Sequence, residues 1–76
     1  MTQSESAATL VVDARGMRCP WPALRLARAM RDAADVVLIA DDPQAGREVA
    51  ALAVEHGWSV ETQAAADDGQ RWRVRR

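Results

Sequence analysis

The amino-acid sequence predicts an α+β two-layer sandwich of order βαβαββ, with two helices packed on one face of a four-stranded mixed sheet. Three observations lead there. Two β-branched apolar runs, TLVVDA (9–14) and DVVLIA (35–40), are each followed by a stretch of helical period. The second helical stretch leads into two alternating runs, WSVETQA (58–64) and RWRVR (71–75). Between them lies DDGQ (67–70), whose Asp-Gly step signals a hairpin. A strand–helix–strand unit crosses over right-handedly, and placing both helices on the same face is then the economical packing.

Each element has its own justification. Residues 1–8 are small and polar, an expected disordered tail, which leaves 9–76 as a single domain. The run 9–14 is the first strand, and RGMR turns the chain after it. From Trp21 to about Ala34 the period is helical. At about 100° per residue, Ala23, Leu24, Leu26, Ala27, Met30 and Ala34 share one face. Arg25, Arg28 and Asp32 fall opposite, and Trp21 projects with them. The nearly continuous apolar run 35–40 reads as a buried strand parallel to the first.

The next segment, DDP, opens a helix with Asp42 as N-cap and Pro43 at the first helical position. This helix runs to about His56, points Ala45, Val49, Leu52 and Ala53 inward, and stops at Gly57. His56 closes it near the apolar face, where its expected role is contact with the last carbonyls. Trp58 and Trp72 are expected in the sheet core or its edge. Arg71, Arg73 and Arg75 share one strand face, either simply solvated or a surface for an anionic partner.

Composition excludes several classes of chemistry. One Cys rules out an intramolecular disulfide, a two-cysteine redox motif and a Cys-pair zinc site. With a single His as well, no metal-ligand cluster can be assembled, and no cofactor is expected. The start, MTQSESAATL, has neither a basic n-region nor an apolar h-region, and no run approaches the roughly 18 apolar residues of a membrane span. A soluble, cytoplasmic chain is therefore expected. The net charge of −1 conceals a segregation: residues 14–31 carry five Arg and no acid, whereas residues 32–68 carry nine acids against Arg47.

The basic block contains Cys19, set in DARGMRCPWPALRLA (13–27). With Cys19 as N-cap, Pro20 and Pro22 occupy the first and third helical positions, where proline is harmless because those N–H groups lack intrahelical partners. Pro22 removes one donor to the sulfur and leaves the Trp21 N–H. The helix dipole and Arg18 then favour a thiolate, so a moderately activated sulfur is expected. Asp13 closes the first strand and bonds turn N–H groups, and Gly16 supplies a turn residue with φ > 0.

Asp13, Gly16, Cys19, Pro20 and Pro22 spell D-x-x-G-x-x-C-P-x-P. This resembles the signature of the TusA (SirA-like) family of small bacterial sulfur carriers, and ADDPQAGREVAALAVEHGWSV (40–60) resembles the family's second helix. The resemblance covers about residues 10–76 and implies the same βαβαββ sandwich. It implies that Cys19 accepts sulfane sulfur as a persulfide from a cysteine desulfurase or another donor and hands it to an acceptor protein. Family members feed tRNA thiolation, molybdenum-cofactor assembly or sulfur oxidation. Asp13, Gly16, Arg18, Pro20 and Pro22 would support the sulfur; Trp21, Arg25 and Arg28 would meet partners. Trp21 fills the variable position of C-P-x-P, and Arg stands in the first helix where family members often carry Lys.

A carrier needs one accessible nucleophilic sulfur and surfaces for its partners, so no autonomous turnover is expected. Two other readings compete. A single-cysteine redox regulator would be sulfenylated or glutathionylated reversibly. An RNA- or protein-binding module would use the Arg-rich segments on phosphates, but the net charge of −1 and the lack of an aromatic–basic motif argue against direct nucleic-acid binding.

Overall fold

A computed structural model describes residues 9–66 and 69–76. The elements follow the predicted order: β1 (Leu10–Asp13), α1 (Trp21–Asp32), β2 (Asp35–Ala40), α2 (Ala45–His56), β3 (Ser59–Ala66) and β4 (Gly69–Arg75). The expected tail at 1–8 and the Asp67–Asp68 part of the hairpin turn lie outside the described residues. The sheet runs β1-β2-β4-β3. β1 and β2 are parallel, with Val12 opposite Leu38, as expected for a crossover through α1. β4 is antiparallel to β2 and to β3, so the sheet is mixed.

Alternation along the strands divides the sheet into two faces. Val12, Val36, Leu38, Ala40, Trp72 and Val74 form the covered face and join Leu26, Met30, Ala45 and Val49 from the helices in one core. The opposite face carries Asp35, Val37, Arg71, Arg73 and Arg75, in the cross-strand register Asp35–Arg75 and Val37–Arg73. Asp35 accepts a forked pair of hydrogen bonds from Arg73, at 3.0 Å from Nε and 2.6 Å from Nη2, and a third from the Thr9 hydroxyl at 3.1 Å. Arg73 holds the Asp35 carboxyl below its ordinary pKa. The arginine face is thus partly neutralised by its own sheet.

Four sequence expectations are corrected by the structure. Helix α1 ends at Asp32 rather than near Ala34. Its buried face comprises Pro22, Ala23, Leu26 and Met30, and Leu24 is 51% exposed instead of inward. The reason is Pro22. Spaced four residues from Leu26 and eight from Met30, it belongs to the apolar stripe and rotates the stripe's centre away from Leu24. Helix α2 begins at Ala45, with Gln44 rather than Asp42 at the formal cap position. At its other end Gly57 takes the left-handed conformation (φ 75°), and its N–H and that of Trp58 both bond the Ala53 carbonyl. His56 does not lie on the apolar face. It is exposed and stacks on Trp58, with ring centroids 4.5 Å apart.

The rotated stripe is testable by chemical denaturation. Leu26→Ala, at a fully buried position, should cost about 2–5 kcal/mol. Leu24→Ala should change stability by no more than about 0.5 kcal/mol. Equal losses at the two positions would contradict the observed face.

Candidate functional site

The site is built where the parallel pair β1–β2 ends. Ala14 donates its N–H to the Ile39 carbonyl at 2.7 Å, carrying the pairing one step past β1. The chain then reverses through residues 14–17, closed by the Met17 N–H on the Ala14 carbonyl at 3.2 Å. Gly16 occupies the third position of this turn with φ 83°, a conformation that costs other L-residues energy. Asp13 behaves as the sequence suggested and more. Its carboxylate accepts the Arg15 N–H at 3.1 Å and is also gripped by the Arg15 guanidinium, at 2.9 Å from Nε and 2.6 Å from Nη2. These bonds to Arg15 lower its pKa to about 2, which leaves it an anion with no capacity as a general base near neutrality.

Two further carboxylates, from the segment after β2, catch the loop. Asp41 accepts the Gly16 N–H at 3.0 and 3.1 Å through its two oxygens. Asp42 takes the Cys19 N–H on Oδ2 at 2.9 Å and the Gln44 N–H on Oδ1 at 2.7 Å. One side chain therefore joins the cysteine segment to the first turn leading into α2. Asp42 caps that turn rather than the helix proper, with the Ala45 N–H on its own carbonyl at 3.0 Å. Its pKa is lowered, first by the Gln44 N–H, then by the Cys19 N–H, with a smaller contribution from the Arg18 charge.

The expected capping geometry of Cys19 is not what forms. Pro20 is the N-cap of α1, its carbonyl accepting the Leu24 N–H at 3.1 Å, so Cys19 stands one residue outside the helix. The Cys19–Pro20 peptide is cis. Trp21 spends its N–H on the Arg18 carbonyl at 2.8 Å, so this donor is not directed at the sulfur, and no side chain caps the helix. Pro22 falls at the second helical position, fully buried. Its role is to pack the core beneath the motif.

Nor is the thiol activated. Cys19 is exposed, and its pKa is raised above the ordinary thiol value. The first cause is a hydrogen bond to the Glu48 carboxylate, followed by partial desolvation and then the negative charges of Glu48 and Asp42. Arg18 acts on Asp42 and is not among the groups that move the thiol. Sequence reasoning missed Glu48. The available signal was an acid in the first turn of α2, which reads on its own as a simple complement to the helix dipole.

Of the residues expected to meet partners, Trp21 is 59% exposed. Arg25 and Arg28 line a groove of about 430 Å³ with Val12, Ala29 and Asp32, beside β1. Trp21 is not among the groove's lining residues, but at four and seven residues' spacing on α1 it shares the exposed helix face of the two arginines. Among the described residues, no group of His, Cys, Asp and Glu could hold a metal ion, and no helix is long and apolar enough to cross a membrane.

The sign of the thiol shift sets a pH dependence. Stabilising the protonated form delays the thiolate, so alkylation of Cys19 should reach half its limiting rate above the ordinary midpoint of about 8.5. The stability linked to this bond is present at neutral pH and is lost as pH rises past the raised value. Asp42→Asn removes one of the charges responsible and should lower the midpoint. A parent midpoint at or below that of a free thiol would contradict the site's electrostatics.

Comparison with known proteins agrees with this architecture. The sequence profile of the family described as sulfurtransferase TusA matches residues 10–76. The crystal structure of a SirA-like protein from Desulfitobacterium hafniense superposes with a TM-score of 0.79 at 18% identity, a likeness of fold that covers 87% of this chain and 95% of that one. A four-stranded mixed sheet with two helices, a cysteine held outside the first of them, and a profile match over nearly all the described residues together place this chain in the TusA family of sulfurtransferases and sulfur carriers.

Proposed function

We propose that this protein carries sulfane sulfur as a persulfide on Cys19, receiving it from a cysteine desulfurase or another persulfide donor and passing it to an acceptor protein. The observation that carries this reading is the exposure of the chain's sole thiol on a loop pinned at Gly16 and Cys19. A carrier needs its sulfur accessible to two different partners in turn, with backbone position constant between visits. Asp41, Asp42 and Gly16 supply the constancy. Exposure supplies the access.

Loading is a displacement at sulfur. Cys19 Sγ attacks the outer sulfur of the donor persulfide, the donor's S–S bond breaks, and the electron pair leaves with the donor thiolate. Unloading repeats the step, with the acceptor's thiolate attacking the outer sulfur and the Cys19 thiol restored. The product could enter tRNA thiolation, molybdenum-cofactor assembly or sulfur oxidation, according to the acceptor.

An RNA-binding reading loses its strongest surface, since Asp35 occupies Arg73 and Glu61 lies 3.8 Å from Arg75.

Intact-mass measurement after incubation with a cysteine desulfurase and cysteine tests the carrier directly. The parent should gain one or more sulfur atoms that reductant removes, while Cys19→Ser should fold and gain none. Uptake by the Ser variant, or none by the parent across several donors, would sink the proposal. The partner surface has its own test. Trp21 contributes little to the core at 59% exposure, so Trp21→Ala should leave the melting temperature nearly unchanged. Transfer to the cognate acceptor should weaken about 30-fold if Trp21 anchors the contact, corresponding to about 2 kcal/mol. A drop of several degrees with transfer intact would instead make Trp21 a packing residue.

A further inference from the structure

β1 is an edge of the sheet and, among the described residues, pairs with β2 alone. Ala14 donates its N–H to the Ile39 carbonyl, so by strand alternation Val12 also bonds toward β2. The N–H and C=O groups of Val11 and Asp13 then point outward, a ready template for another chain. The opposite edge, β3, is interrupted by a register shift between Gln63 and Ala66, an irregularity that blunts an edge. β1 keeps an unbroken register from Leu10 to Asp13, and Leu10 and Val11 are exposed. Beside this edge lies the groove of about 430 Å³, between Val12 and the α1 residues Arg25, Arg28, Ala29 and Asp32. Among the described residues neither Arg25 nor Arg28 forms a salt bridge. The carboxylate at the end of β1, Asp13, is already gripped by Arg15. Two cations therefore stand unmatched along an open edge, with Asp32 the one acid in the lining.

We propose that the β1 edge and this groove take up an extended acidic segment of a partner protein, which adds to the sheet as a further strand. Its backbone pairs with the outward groups of Val11 and Asp13, and alternate side chains enter the groove. The spacing fits. Side chains two residues apart on a strand share a face about 6.5 Å apart, and Arg25 and Arg28, three apart on a helix, are separated by about 5–6 Å. Two carboxylates in the pattern acid–x–acid thus meet the two arginines, while Val12 and Ala29 line the groove between them. The residue between the acids points to the other face of the sheet, beside the exposed Val11, where an apolar side chain gains contact. Asp32 lies one turn beyond Arg28 and repels a third acid, which fixes the register of the added strand. A row of outward N–H and C=O groups is matched by a peptide backbone and not by a sugar-phosphate chain, so the occupant is a protein segment. This surface serves recognition, and the inference stands independently of the sulfur chemistry.

The test titrates the intact, isotope-labelled protein with the peptide Thr-Val-Glu-Val-Glu-Val-Thr, blocked at both ends, and follows backbone amide shifts by NMR. The amides of Val11 and Asp13 should move most, and binding should weaken as salt rises. A peptide with Lys in place of both Glu should not bind. Replacing both arginines, Arg25→Gln with Arg28→Gln, should weaken binding about tenfold. Arg31→Gln removes a charge from an exposed position outside the groove and should leave binding unchanged; melting temperatures check that the variants fold. N-methylation of alternate peptide amides reads the geometry. Methyl groups on the row that faces β1 should abolish binding, and those on the other row should be tolerated. Equal sensitivity of the two rows would overturn strand addition. Binding of the Lys peptide, or indifference to the arginine pair, would overturn the acidic occupant, and no binding at all would overturn both. A dimer in sedimentation that excess peptide does not dissociate would assign the edge to a second copy instead. None of these measurements involves sulfur, so their failure leaves the carrier reading intact, and failed sulfur loading leaves the binding result intact.

Discussion

Two adjacent carboxylates at the end of β2 govern how this molecule presents its sulfur. Asp41 and Asp42 bind N–H groups of the cysteine loop, and Asp42 simultaneously binds the turn that starts α2. Backbone N–H groups are strong donors that loops often leave to solvent, and anionic acceptors hold them more firmly than neutral ones. Because both acids follow directly on β2, the loop inherits its position from the parallel strand pair. Loss of these contacts would leave the fold's layers intact while freeing the sulfur to wander.

Anchoring a loop with anions has an electrostatic side effect. The donors are satisfied, but the charges remain, and Glu48 adds a third nearby. These charges push the thiol above its ordinary pKa, contrary to the expectation from a helix N-terminus beside arginine. The dipole argument fails here for a geometric reason. Cys19 lies one residue outside the cap, and the N–H groups of its neighbourhood are committed to Asp42 and to the Arg18 carbonyl. A field described by sequence proximity was outweighed by groups that are distant in sequence and adjacent in space.

The same distinction explains what was legible beforehand. Strand periods, the Asp-Gly hairpin signal, the Asp-Pro start and Gly57 are local signals, and the element order and parallel β1–β2 pairing could be read from them. The motif D-x-x-G-x-x-C-P-x-P was likewise local and pointed to the right family. Register was less accessible: proline tolerance at helix starts does not distinguish the cap position from the first or second helical position, so the pattern alone puts Cys19 one residue too far in. A stripe drawn without Pro22 is centred differently and turns Leu24 inward. Asp42's bond to Cys19 spans 23 residues, and Glu48, which helps to raise the thiol's pKa, is farther still along the chain. Neither contact exists until the tertiary structure does.

The four residues of the C-P-x-P element are not alike in what they contribute. Cys19, Pro20 and Trp21 are exposed, whereas Pro22 is fully buried against the same stripe as Leu26 and Met30. Selection on such a chain would act through two separate demands. A descendant relieved of sulfur traffic could exchange its cysteine at little cost to the fold, and a change of partner could rewrite Trp21. The final proline would persist in both lineages, because it answers to folding rather than to chemistry. A short motif of this kind is therefore a composite record, in which the last letter outlives the function that the first letter performs.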